Sequence, residues 1–255
     1  MIRFFVTPQD IFDNTIKLSI EDTKHVRSLR LRPEETFIAC DGTGSDYICK
    51  LGERDGGTVA EFIDRQSSVG EPTIKCSVYM AYSKGDRLDY AVQKSVELGV
   101  HQIILFESER CVAVPKDIPK RVSRLQRIAL ETAKLSNRGI VPKVTSGGKL
   151  SSVLDKVSAD SAQTSNLALF FYECENRVSI RDILEQRLLA PFESECCGTK
   201  SVSIITGPEG GFEPHEADLA KSKGIATVSL GTRILRSETA PVIALAAVMY
   251  HTGNL

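Results

Sequence analysis

The stretch "SIITGPEGGFEPHEADLAKSKGIATVSLGTRILRSETAP" spans residues 203–241. It sits across two apolar runs, 202–205 and 225–230, whose length and content suit buried strands. Each run ends in glycine: the first in Gly207-Pro208-Glu209-Gly210-Gly211, the second in Gly231-Thr232-Arg233. A helical stretch, 214–223, lies between them. Strand, helix and strand in that order is the repeating unit of a parallel sheet. Ligands of such sheets sit beyond the carboxyl ends of the strands, where both glycine loops fall.

The same alternation extends outward over residues 73–255. Further strands are expected at 75–82, 101–106 and 167–171, and further helices at 86–98, from 118 along a basic segment, and at 180–189. In the helix at 86–98, Leu88, Ala91, Val92, Ser95 and Val96 share one face. The last helix, 238–251, is apolar on nearly all sides and so is expected to be buried, in part against a second subunit. Residues 1–70 differ. Short strands at 36–40, 47–51 and 58–63, joined by glycine turns, predict a small barrel, interrupted by a helix that Ser19 caps with Asp22 three residues on. The polar segment 66–72 is the expected linker.

With 255 residues, 42% hydrophobic and 25% charged, the chain is long enough for one large or two small domains. No run approaches a membrane span and the first residues lack a signal peptide's apolar core, so a cytoplasmic protein is expected. The seven cysteines form no C-x-x-C pair, so neither a metal site nor redox chemistry is expected; the adjacent Cys196 and Cys197 are the least explained. Net charge is −1, so a polyanion partner has to be met locally. Seven Lys and Arg against two acids between 116 and 138 form one such cluster, which is also what a solvated helix face looks like.

The glycine loops carry no G-x-G-x-x-G after the domain's first strand and no G-K-[ST], which argues against a phosphate grip. Bare loop backbone instead suits close approach of a ligand. Ser237 or Thr239 is placed to cap the last helix, with Pro241 tolerated in its first turn. Capping leaves Arg233 and Arg236 unexplained beside Ile234 and Leu235.

"GPEGGF" followed by "LGTRILRSETA", with "QKSVELGV" at 93–100, "SERCV" at 108–112 and "RFFV" at 3–6, resembles the ribosomal RNA small subunit methyltransferase E family, of the SPOUT class. The resemblance covers nearly the whole chain; it departs at Leu135, where family members usually carry glutamine. It implies an α/β domain with a trefoil knot at 73–255, an N-terminal PUA-like RNA-binding barrel at 1–70, and a homodimer that methylates N3 of a uridine in small-subunit ribosomal RNA. S-adenosylmethionine is the implied cofactor, between Thr206, Gly207, Glu209 and Gly210 on one side and Leu230, Gly231, Ile234, Leu235 and Arg236 on the other. A ribose methyltransferase of the same fold and a non-catalytic RNA-binding assembly protein are the alternatives.

Methylating uracil N3 requires alignment and removal of a proton from a weak acid. Arg236 is the candidate cation for the developing anion, and Glu209 or Glu238 the candidate base. RNA capture is expected at Arg3, Arg27, Arg30 and Arg32 and at Arg121, Arg124 and Arg138. Residues 1–70 hold nine basic against twelve acidic side chains, so their arginines would act on particular phosphates or bases, not through a broad field.

Overall fold

A computed structural model of the chain describes residues 2–32, 35–54, 57–188 and 201–255. Cys196, Cys197 and Leu189, the expected helix end, lie outside them. Two compact units emerge, one made of Met1–Glu71 with Leu130–Val141, the other of Pro72–Ala129 with Pro142–Leu255. The second is therefore not the continuous block 73–255. Glu71 explains the exception: its carboxylate accepts from Arg138 Nε and Nη2 at 2.9 Å and from the amides of Gly139 and Ile140 at 2.9 and 3.1 Å, tethering 138–140 to the first unit.

The first unit is built around a six-stranded sheet. Its elements are β1 (Arg3–Phe5), β2 (Ile11–Phe12), β3 (Thr15–Ile16), α1 (Ile20–Ser28), β4 (Phe37–Cys40), β5 (Ser45–Arg54) and β6 (Gly57–Ser67). The strand order is β1-β4-β5-β6-β3-β2, with β1 parallel to β4 and the other pairs antiparallel. Phe4, Val26, Phe37, Tyr47 and Ala60 make its core. Ser19 Oγ accepts from the Asp22 amide at 3.0 Å, the cap the sequence indicates.

The second unit carries the parallel sheet. Its strands are β7 (Lys75–Ala81), β8 (Gln102–Glu107), β9 (Lys143–Lys149), β10 (Asn166–Phe171), β11 (Ser201–Thr206) and β12 (Ala226–Val228), in the order β12-β10-β11-β7-β8-β9. Every pair is parallel. The helices are α2 (Arg87–Glu97), α3 (Ile118–Leu135, whose last turns belong to the first unit), α4 (Leu150–Gln163), α5 (Ile180–Arg187), α6 (Pro214–Ser222) and α7 (Ala240–His251). Helix α4 packs on β8, β9 and β10, and α7 on β7 and β11. Strand β9 and helix α4 are elements the sequence reading passes over. Among the described residues no helix is long and apolar enough to cross a membrane.

Two features of this core shape the carboxyl edge of the sheet. Phe212, the last residue of GPEGGF, is buried with its ring 4.1 Å from that of Phe170 and stacked at 6.4 Å on Phe106, so the glycine loop is tacked down by an aromatic. Helix α7 begins at Ala240 without a hydroxyl cap: Thr239 makes no side-chain cap, and the amides of Thr239 and Ala240 both donate to Arg236 O at 2.9 Å. The turn at 236–239 thus does the capping expected of Ser237 or Thr239.

Candidate functional site

Strand register brings Phe171, Thr206 and Val228 side by side at the carboxyl ends of β10, β11 and β12. Beyond them lies a cavity of about 570 Å³, within the second unit. Its lining includes all the residues the sequence assigns to a cofactor: Thr206, Gly207, Glu209, Gly210, Leu230, Gly231, Ile234, Leu235 and Arg236. It also includes Arg87, Tyr172, Glu173 and Glu238. Thr206 is buried, its hydroxyl donating to Tyr79 O at 3.3 Å, so it shapes the floor.

The loop after β11 is fixed from several sides. Glu209 Oε1 accepts from the Lys84 amide at 2.7 Å and from Arg87 Nη1 at 2.5 Å. Arg110 donates through Nη1 to Gly210 O at 3.0 Å and through Nε to Glu213 at 2.7 Å. Glu173 Oε1 accepts from the Phe212 amide at 3.1 Å. Gly211 has φ +72, which favours glycine, and a Cβ there would displace the Glu173 carboxylate from its place beside the loop.

The loop between β12 and α7 is bare by comparison. Gly231 turns at φ +104 with open space around it, and Ser229 Oγ accepts from its amide at 3.1 Å. Among the described residues, the amides and carbonyls of Thr232, Arg233, Ile234 and Leu235 make no backbone hydrogen bond. Ile234 is 88% exposed and Arg236 82% exposed, with Arg236 Nη1 3.9 Å from Glu238 Oε1. Free amides and carbonyls beside Phe171, Val228, Leu230 and Leu235 form a lining with apolar sides and a hydrogen-bonding rim. Such a lining fits the adenosyl part of S-adenosylmethionine, which has an apolar ring face and a polar edge. Glu209 Oε2, buried without a hydrogen-bond partner among the described residues, leaves an acceptor for a ligand donor.

Several expected roles change. Burial pushes the Glu209 carboxyl up, but the Lys84 amide, its own amide and the Arg87 guanidinium outweigh this and hold it below the usual carboxylate range. Through Oε1, tied to the Lys84 amide and Arg87, Glu209 braces its loop. Arg3 is buried, with Nη1 and Nη2 on Asp46 at 2.7 and 2.9 Å and Cys40 Sγ 2.6 Å away. Arg138 is likewise buried on Glu71. Neither guanidinium faces solvent, because each is committed to a carboxylate that would otherwise be left without its partner. Arg121 is largely covered, donating to Gly85 O at 3.1 Å and pairing with Asp89 at 3.1 Å. Arg124 remains 58% exposed while touching Asp89 and Asp86. Arg30 and Arg32 are exposed after α1, Arg30 at φ +50; the Arg27 side chain is outside the described set.

Arg87, Tyr172 and Glu173 line the cavity without having been singled out from the sequence. The available signal for Arg87 was a cation opening a helix, where the macrodipole disfavours it.

Comparison with known proteins agrees with this geometry. The family model for an RNA methyltransferase domain matches residues 70–249. The ribosomal RNA small subunit methyltransferase E of Synechocystis is 30% identical over 96% of this chain and 76% of its own length. That of Bacillus subtilis is 29% identical over 100% of this chain and 98% of its own. The crystal structure of the Neisseria gonorrhoeae ribosomal RNA small subunit methyltransferase E bound to S-adenosyl methionine has a TM-score of 0.80, with 30% identity over 99% of this chain and 98% of that one. With a full-length match at this level and a cavity built from the motifs that first suggested it, the chain belongs to the ribosomal RNA small subunit methyltransferase E family.

Proposed function

We propose that this chain transfers a methyl group from S-adenosylmethionine to N3 of a uridine in small-subunit ribosomal RNA, working as a homodimer in the cytoplasm. The observation that carries the reading is the cavity at the carboxyl ends of β10, β11 and β12, with one fixed and one bare wall. Bound there, S-adenosylmethionine supplies an electrophilic methyl on a sulfonium. The chain's own residues align the base, hold charge and take up a proton. Arg236 extends from the mouth of the cavity and offers a cation to the uracil anion that forms as N3 loses its proton. Glu238 is the candidate acceptor of that proton. Its contacts with Arg87 and Arg236, at 3.7 and 3.9 Å, are looser than the 2.5 Å contact on Glu209.

By the family likeness, the 229–239 loop and α7 belong to a trefoil knot, and the first unit is a PUA-like RNA-binding domain. Support for the latter comes from its separate core and from exposed Arg30 and Arg32. On the second unit, exposed Arg124, with exposed Lys116, Lys120 and Arg127 on and before the same helix, offers phosphate contacts. Support for the dimer comes from α7, which buries Ala244, Leu245, Val248 and Met249 yet leaves Ile243 and Tyr250 exposed. Light scattering should give twice 28.0 kDa at micromolar concentration, and the mass of one chain would refute the dimer. The free thiols of Cys40, Cys49, Cys76, Cys111 and Cys174 suit a reducing compartment.

The function is tested by digesting small-subunit ribosomal RNA treated with enzyme and cofactor to nucleosides for mass spectrometry. N3-methyluridine is expected; a 2'-O-methylated nucleoside would assign the ribose reaction instead, and no product would leave an RNA-binding protein.

A further inference from the structure

Helix α2 opens with a cation in an unfavourable place. Arg87 is its first residue, where the positive end of the macrodipole repels a guanidinium. Neither acid beside it takes it up: Asp86, just before the helix, pairs with Arg124, and Asp89 with Arg121 and Arg124. Arg87 turns instead to the cavity. Its Nη1 donates to Glu209 Oε1 at 2.5 Å, and its Nε lies 3.7 Å from Glu238 Oε2. Those carboxylates belong to different walls, Glu209 to the fixed loop after β11 and Glu238 to the turn that leads from the bare loop into α7. Glu209 Oε2 has no partner among the described residues, so this carboxylate is held through Oε1 alone.

We propose that Arg87 is a positioning residue for methyl transfer, one guanidinium that fixes the spacing between the Glu209 wall and the Glu238 turn and so sets Glu238 and Arg236 against the bound substrates. The inference rests on the cavity being the methyl-transfer site. A planar fork is suited to the task because Nε and Nη1 face two carboxylates at once, one hydrogen-bonded and one as an ion pair, whereas a lysine ammonium is a point charge on a flexible stem. Lysine at 87 would keep the shorter contact, to Glu209, and lose the longer one, to Glu238.

The test compares the full-length chain with Arg87→Met and Arg87→Lys, reading melting temperature, affinity for S-adenosylhomocysteine and turnover on small-subunit ribosomal RNA. In Arg87→Met, affinity should fall about fivefold, as for loss of a half-exposed ion pair. Turnover should fall roughly 10²-fold, as for a small misplacement of reacting groups. Arg87→Lys should recover the affinity but not the turnover. That split between binding and rate is what a merely structural role would not give. The proposal is overturned if Arg87→Met matches wild type in both, if lysine restores both, or if both fall together with the melting temperature in either variant. A wild-type chain that neither binds S-adenosylhomocysteine nor methylates RNA would overturn the function itself and this inference with it.

Discussion

The loop at 207–213 is gripped by side chains from three other segments, through Arg87 on Glu209, Arg110 on Gly210 and Glu213, and Glu173 on the Phe212 amide. The loop at 230–236 faces it across the same cavity, yet among the described residues its backbone from Thr232 to Leu235 makes no such bonds. Both follow strands of one parallel sheet, and both turn on glycine. On the function proposed above, the difference divides the labour of a cofactor site. The fixed wall is formed before the ligand arrives, and the bare wall keeps its hydrogen-bonding groups for the ligand.

The largest effect expected from this division is at Arg236, on the bare side. With 82% of its side chain exposed and one long contact to Glu238, it carries little of the fold. Arg236→Ala should lower turnover by ~10² or more, equivalent to ~2.7–4 kcal/mol, while affinity for S-adenosylhomocysteine changes little. Loss of cofactor affinity of the same size would move Arg236 from the RNA side of the site to the cofactor wall.

Next come the glycines, which set the walls against each other directly. Gly211→Ala forces a left-handed non-glycine residue, costing ~1–2 kcal/mol, and also drives a Cβ into Glu173; cofactor affinity should drop by roughly tenfold or more. Gly210→Val presses on Arg110, whose Cβ lies 3.0 Å from the added Cβ, and should act in the same direction. Gly231→Ala meets nothing within 4 Å, so the backbone strain of φ +104, ~1–3 kcal/mol, is all it should cost, with no side-chain clash added. Calorimetric titration of the three variants that ranks Gly231→Ala as the most damaging would reverse the assignment of fixed and bare walls.

How much of this could be read from the sequence depends on the range of the interaction. The alternation of strand and helix, the placement of both glycine loops at strand ends and the N-cap at Ser19 are local patterns, and all are present in the structure. Helix α4 is legible too, since Leu150, Val153, Leu154 and Val157 keep helical spacing. What was not legible is pairing at a distance. Arg3 looks like a surface arginine until Asp46, 43 residues on, takes it into the core; Arg138 meets Glu71 across 67 residues. Arg87 and Glu209 are 122 residues apart, so their pairing has no local sign beyond a misplaced charge at the start of a helix.

The smallest predicted effect concerns pH. Because the folded state holds Glu209 below its ordinary value of 4.5, its hold on the loop is complete above that pH and is lost as pH falls through the lower folded value. The groups around it are the Lys84 amide, Arg87 and, through Arg87, Glu238. Affinity for S-adenosylhomocysteine should therefore weaken as the pH drops below 4.5, and Glu209→Gln should weaken less over the same window because its amide does not titrate. Equal pH dependence in the two proteins would assign the titration to another carboxylate.

Amide hydrogen exchange with and without S-adenosylhomocysteine tests the division of the two walls most directly. In the free protein the amides of 232–235 should exchange quickly, while those of Gly211, Phe212 and Glu213, which donate to Pro208 O, Glu173 and Glu216, should be protected. Adding ligand should slow exchange at 232–235 and leave 211–213 nearly unchanged. Protection gained mainly at 211–213, with 232–235 already slow in the free protein, would contradict the account.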